Sequence, residues 1–403
     1  MLLSFHRLSA QPIPEDLLSF LKGKDPLVDQ VLREREKFRL QFLVSGIRRG
    51  ADDKVRFEEY SFTDGSYFYP ASMVKLPAAL ISLEILDSLQ IPLNSFIRMN
   101  DDAGCGNTSF RKLTRNGNLS FTDVTEELIA ISNNPYFSLL FHFAGPAALN
   151  GRMQQKNLRQ TRIYSAYTSC PKRADVKTSS YQILDTAGRE ILSVPVRIFP
   201  YAAFRDNWPA EARKRISRNR AGSQPLDFND HHEYSLADIH GTMQRLIFPE
   251  TFPGIQRFHL KPSSRNFLLR CLGLYPREMR NSAYHQPALY PDHYYKYSII
   301  GEETSPHTSR NCRIFSKIGL SYGFVTETAY VVDFDSGKDF LFSVSMYTEG
   351  DGTEASGNYG YEKTARPFIA RLSNLILEFL HTQLPDERCP DACLKSLKAL
   401  FEK

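Results

Sequence analysis

The segment Tyr69-Pro70-Ala71-Ser72-Met73-Val74-Lys75 sets a hydroxyl and an amine at a spacing that suits nucleophilic chemistry. The pattern predicts a helix opening at Ser72 and running to about Leu89, and residues three apart on a helix share a face. A serine hydroxyl is a poor nucleophile at neutral pH, and a partly desolvated amine beside it can take its proton. Backbone N–H groups at a helix start favour the negative charge that develops in such an attack. Alone the pair is weak, because a serine cap followed by a surface lysine is common. Two further segments join it. Ser132-Asn133-Asn134 follows sixty residues downstream, between the helical stretch Thr122–Ile131 and the apolar run Phe137–Phe143. Lys317-Ile318-Gly319 falls in a predicted edge strand near the C-terminus.

These residues need a scaffold, and both chain ends offer strands for one. Phe38–Ser45 is rich in aromatic and β-branched residues, and Val55–Phe62 alternates apolar with polar. Gly50 and Asp52 lie between them, which predicts a hairpin. Arg313–Ile318, Glu327–Phe334 and Asp339–Tyr347 read as three more strands, with a turn at Asp335-Ser336-Gly337-Lys338. Short helices are expected over Pro14–Leu21 and Pro26–Arg35. Tyr361–Leu384 carries Ala365, Phe368, Ile369, Leu372, Leu375, Ile376, Phe379 and Leu380, the stripe of a long amphipathic helix. Between the two sets of strands, Met73 to Cys271 is helical wherever it is periodic. Strands early and late with helices between predict an α+β fold, its sheet built from both chain ends.

The order SxxK, S-x-N, K-x-G resembles the class A β-lactamase type of penicillin-recognising serine hydrolases, over roughly residues 38 to 384. Tyr234–Leu246 is similar to that family's helix before the final strands. The resemblance implies a β-lactamase/transpeptidase-like fold: an antiparallel sheet formed by both chain ends with an inserted all-helical subdomain. On this reading residues 1–37 are a helical lead-in and 38–384 the hydrolase domain. Its sheet part is 38–71 and 311–384, its helical part 72–310, and 385–403 is a tail. The roles implied are specific. Ser72 attacks a carbonyl and carries the acyl group, and Lys75 accepts or relays the proton. Ser132 passes a proton to the leaving group with help from Lys317. Asn134 bonds the substrate amide, and the N–H groups of Ser72 and Leu320, beside Gly319, form the oxyanion hole. The resemblance implies no cofactor, no metal, and a small-molecule or peptidoglycan-like substrate.

Three departures from the family pattern bear on that substrate. Matching Gly145-Pro146 and Thr161-Arg162-Ile163 puts Tyr167 where class A enzymes carry the glutamate that activates the deacylating water. No Asp or Glu lies between Asn150 and Ala174, and Asp175 is the next carboxylate. Ile318 stands where a Ser or Thr hydroxyl usually binds the substrate carboxylate. No Arg or Lys occurs from Ile318 to Gly337, and Glu327 lies in that stretch. A weak or specialised β-lactamase leads on the implied fold and the first two motifs, while Tyr167 and Ile318 support the runner-up. A D,D-peptidase-like enzyme, amidase or esterase with slow β-lactam deacylation follows, and a silent binding protein is the alternative from another class. Insertions over Cys170–Glu233 and Tyr275–Arg310 enlarge the domain. The second holds Tyr284, Tyr290, Tyr294, Tyr295 and Tyr297 with His285 and His293, either a wall for sugars or peptides or a packed excursion.

Composition narrows the rest. The chain has 403 residues and a net charge of +5, from 50 basic and 45 acidic residues. The basic cluster Arg213, Lys214, Arg215, Arg218 and Arg220 comes without a base-stacking motif, so no nucleic-acid partner is expected. No apolar run is long enough to span a membrane. Met1–Ala10 resembles the end of a truncated secretory signal, which implies a periplasmic or secreted protein. The 6 cysteines permit disulfides, although Pro390 interrupts a simple helix between Cys389 and Cys393. Asp230-His231-His232-Glu233 and His240 fit no standard zinc spacing. Gly104-Cys105-Gly106 is no nucleotide loop, and His142 reads as a core histidine.

Overall fold

A computed structural model describes residues 14–50, 54–104, 109–114, 119–167, 175–200, 228, 231–348 and 359–402. The signal-like start, the basic cluster at 213–220, Cys105, Cys170 and Asp230 lie outside the described residues. The strands are β1 Gln41–Arg49, β2 Val55–Phe62, β3 Phe96–Met99, β4 Thr161–Arg162, β5 Val176–Thr178, β6 Tyr181–Leu184, β7 Glu190–Val194, β8 Arg197–Phe199, β9 Glu233–Tyr234, β10 Cys312–Ser321, β11 Phe324–Asp333 and β12 Asp339–Tyr347. The chain divides into two compact units.

The sheet unit takes the chain up to Met73, Ser235–Phe252 and the chain from Gly273 onward. Its five strands run in the order β10-β11-β12-β1-β2, antiparallel throughout. The two chain ends meet where β1 pairs β12, Gln41 opposite Ser345 and Gly46 opposite Phe340. One face packs on the helix Arg366–Gln383, whose Phe368, Ile369, Leu372, Ile376, Phe379 and Leu380 are buried with Phe42, Val44, Ile314, Ile318, Val331 and Phe342. Each such side chain contributes about 1.5–3 kcal/mol by leaving water. The other face meets the helix Leu236–Ile247, capped by Ser235 accepting from the Asp238 N–H. There His240 bridges two strands, 2.7 Å from Ser45 Oγ and 2.9 Å from Ser343 Oγ.

The helical unit comprises Val74–Tyr234 and Pro253–Leu272. The helix Lys75–Ser88 is buried along almost its whole length and contacts the helices Phe121–Ala130, Asn134–Ala144 and Pro146–Gln155. An apolar surface all round a helix requires such a central place. Glu84 inside it is offset by Lys156 at 3.0 Å and by the His259 N–H at 2.6 Å, as a buried carboxylate requires. The middle of the chain also holds three small sheets, β3-β6-β7, β4-β9 and β5-β8, beyond the purely helical insertion expected from sequence. Among the described residues no helix is long and apolar enough to cross a membrane, and no cluster of His, Cys, Asp and Glu could hold a metal.

Candidate functional site

In the sheet unit, Ser72 is half-buried in a 3-10 turn, Ala71–Val74, closed by the Met73 N–H donating to the Pro70 carbonyl at 2.9 Å. Ala71 has a φ of 46°, a left-handed conformation that strains a side chain and is common at functional sites. The chain then runs directly into the helix opened by Lys75. Gly319 of β10 passes against this turn. A Cβ on Gly319 would lie 2.4 Å from the Pro70 carbonyl oxygen and 3.2 Å from the Met73 nitrogen, so only glycine fits.

The hairpin after Gly319 sets the direction of the strand's polar groups. Tyr322 and Gly323 both have positive φ, 53° and 81°, as a two-residue turn between twisted strands needs. The flanking pair, Ser321 and Phe324, is then hydrogen-bonded, and alternate residues turn their N–H and C=O away from β11. Leu320, Ile318, Ser316 and Ile314 are among those residues, and β10 is the outer strand. The side chains agree: Lys317 Nζ donates to the Ile318 carbonyl at 2.9 Å, and Lys296 Nζ to the Ile314 carbonyl at 2.8 Å. The Leu320 N–H therefore points away from β11, out of the free edge of the sheet. Burial pushes Lys317 down to about 7, helped by the positive charge of Lys296. Ile318 is 1% exposed within the core against the Arg366–Gln383 helix.

In the helical unit, Lys75 is fully buried and its ammonium is shared by three acceptors. Nζ donates to the Ser132 carbonyl at 2.5 Å, to Ser132 Oγ at 3.0 Å and to Asn134 Oδ1 at 2.5 Å. Ser132 adopts a φ of 61°, which turns its carbonyl and hydroxyl together. That turn is held from behind by Glu127: its carbonyl accepts from the Asn133 N–H and its carboxylate from Asn133 Nδ2, both at 3.1 Å. Asn133 in turn caps the next helix at the Tyr136 N–H, at 3.2 Å. The Tyr167 ring lies 5.5 Å from Lys75 Nζ and packs on Phe137 at 4.6 Å and His232 at 5.9 Å. His232 Nδ1 accepts from the Tyr164 N–H at 3.2 Å, and burial pushes its pKa down to about 3. It is a neutral core residue, as is His142, which accepts from the Ser179 N–H at 2.9 Å. Asp175 is exposed just before β5.

Each unit thus gathers part of the expected set: Ser72, Lys317, Gly319 and Leu320 in one, Lys75, Ser132 and Asn134 in the other. Sequence reasoning missed Glu127, whose place in the last turn of its helix gives no local sign of its reach to Asn133. It noted Glu327 only as an acid where a cation is usual. Glu327 is fully buried, accepts from the N–H groups of Tyr297 and Ser298 at 3.0 and 2.8 Å and from Ser298 Oγ at 2.8 Å, and is pushed up to about 7 by burial. It pins the inserted segment to the sheet. In that insertion Tyr284, Tyr290, Tyr294 and Tyr295 form a ring-to-ring series with centroids 5.2, 5.0 and 4.3 Å apart.

Residues 51–196 match the model of a family described as the Beta-lactamase enzyme family. That segment contains Ser72, Lys75, Ser132 and Asn134. No curated protein matches the sequence. Similar solved structures include the TLA-3 extended-spectrum β-lactamase, at 13% identity and a TM-score of 0.49, covering 89% of this chain and 99% of that one. Others are a class A β-lactamase from Bacteroides cellulosilyticus (11% identity, TM-score 0.47, 88% and 97% covered) and a mutant of the last common ancestor of Gram-negative bacteria class A β-lactamase (15%, 0.48, 88% and 98%). Residues 51–196 are thus similar to the Beta-lactamase enzyme family, and the architecture is α+β, its five-stranded antiparallel sheet built from both chain ends.

Proposed function

We propose that the protein is a serine hydrolase working through an acyl-enzyme on Ser72. The observation that carries this reading is the buried amine of Lys75, three residues after Ser72 in the sequence and held on Ser132 Oγ and Asn134 Oδ1. In its neutral form Lys75 takes the Ser72 proton as Oγ attacks the carbonyl carbon. The oxyanion forms against the N–H groups of Ser72 and Leu320. Ser132, with Lys317, returns a proton to the leaving nitrogen or oxygen as the bond to it breaks. Water then releases the acid and regenerates Ser72.

The substrate proposed is a β-lactam or related amide. A second reading, a D,D-peptidase-like enzyme, amidase or esterase that deacylates β-lactams slowly, is favoured by two side chains. An aromatic ring, Tyr167, covers Lys75 where a carboxylate would activate water. Ile318 is committed to the core and supplies no hydroxyl for a substrate carboxylate. Export to the periplasm or beyond is part of the proposal. Burst and steady-state kinetics with a chromogenic cephalosporin and with p-nitrophenyl acetate separate the readings. Steady cephalosporin turnover that requires Ser72 supports the first. A stoichiometric burst followed by slow release, with faster ester turnover, supports the second. Turnover unchanged in Ser72→Ala refutes the serine mechanism, and neither burst nor turnover with both compounds refutes the proposed substrates.

A further inference from the structure

The sheet unit contains a cavity of about 330 Å³ at the far end of β10 from Gly319. That volume lies at the lower end of small-molecule sites. Four cationic side chains line it, Arg277, Arg310, Arg313 and Lys398, with the rings of Phe334 and Phe401, and among the described residues no carboxylate does. Acidic groups stand behind three of the cations. Asp292 takes Arg277 at 2.9 and 3.1 Å, Glu278 takes Arg313 at 2.8 and 3.3 Å, and Glu303 reaches Arg310 only at 3.9 Å. Lys398 lies over the Phe334 ring at 4.7 Å and has no carboxylate partner among the described residues. The lining therefore carries more positive charge than its supports neutralise.

Arg313 is fixed for recognition. Its guanidinium sits between Phe401, at 3.8 Å, and Tyr275, at 4.6 Å, while its buried Nε has no hydrogen-bond partner among the described residues. A buried donor without an acceptor is costly and is rarely left so in a folded protein. A guanidinium held flat and short of one acceptor suits a planar or tetrahedral oxyanion. None of these residues belongs to the proposed hydrolytic site.

We propose that this cavity binds a small organic anion, a phosphate or carboxylate joined to a planar apolar group. Its oxygens meet Arg310, Arg313 and Lys398, and its ring lies against Phe334 and Phe401. The test is calorimetric titration of the full chain, and of Ser72→Ala to exclude binding at the hydrolytic serine. Phenyl phosphate, benzoate and inorganic phosphate are used at fixed ionic strength. Arg310→Gln and Lys398→Gln change exposed side chains, and their melting temperatures check that the fold is kept. The proposal expects one site per chain for phenyl phosphate or benzoate, kept in Ser72→Ala and weakened about tenfold or more in each of the two variants, the loss of one charge-assisted hydrogen bond. Whichever of the two binds tighter identifies the source as phosphate or carboxylate. No saturable binding up to about 10 mM, binding unchanged in both variants, or inorganic phosphate binding as tightly as phenyl phosphate would overturn it.

Discussion

Gly319→Ala is the sharpest perturbation of the proposed oxyanion hole. The added Cβ would start 2.4 Å from the Pro70 oxygen, 3.0 Å from Met73 Cγ and 3.2 Å from the Met73 nitrogen. Two of these three atoms are backbone in the turn that carries Ser72, so no flexible side chain can simply move aside. Ordinary carbon–oxygen contact requires β10 and the turn to separate by roughly half an ångström or more. Overpacking of this kind costs about 1–3 kcal/mol of stability. The same shift parts the Leu320 N–H from the Ser72 N–H. Misplacement of about 1 Å costs on the order of a hundredfold in rate, and loss of one oxyanion donor costs about 10²–10³-fold. The account expects the acylation rate with p-nitrophenyl acetate to fall between about tenfold and a hundredfold, measured by stopped-flow at a temperature where denaturant titration shows the variant folded. A folded Gly319→Ala protein that acylates within about threefold of the parent would refute the role given to the β10 edge.

Three further outcomes are expected. Lys75→Arg keeps a charge at every usable pH and cannot accept a proton, so acylation should fall by at least about a thousandfold; residual activity above a tenth of the parent would remove Lys75 as the base. Burial holds Lys317 at about 7, below its ordinary 10.5. Between those values the unfolded chain binds a proton that the folded chain does not, so stability rises with pH across the window. Lys317→Met should flatten that rise by on the order of 1 kcal/mol per pH unit in urea titrations, and identical slopes for both proteins would contradict the buried, depressed amine. Tyr167→Glu brings a carboxylate to the ring's place near Lys75 and should shorten the lifetime of a penicilloyl adduct about tenfold or more in timed intact-mass spectra; an unchanged lifetime would show that Tyr167 is not what slows deacylation.

The parts legible in the sequence are those encoded by long regular patterns. Val55–Phe62 and Asp339–Tyr347 are strands with the predicted limits, because apolar residues recur through both segments over eight or nine residues. The helix read over Tyr361–Leu384 opens with a π turn, Tyr361–Ala365, before Arg366–Gln383. The helix expected from Ser72 starts as a 3-10 turn and becomes regular at Lys75, since Ala71 enters it in a left-handed conformation that propensity does not reveal. Strands β3 to β9 have two to five residues, too few to show a period of two. The departures at Tyr167 and Ile318 were visible as residue types, but what they touch was not. Ile318 reads as a missing hydroxyl in sequence and is a core side chain in space. Glu127 and Glu327 act on backbone groups brought near by loops, a relation that no local spacing encodes.

The most direct test of the central claim is the intact mass of the protein after exposure to benzylpenicillin and to p-nitrophenyl acetate, with Ser72→Ala treated alongside. The account predicts one acyl group added per chain from at least one donor, located by peptide mapping to the segment holding Ser72, and none on Ser72→Ala. An adduct that persists in Ser72→Ala, or turnover of either compound by that variant at the parent's rate, would contradict it.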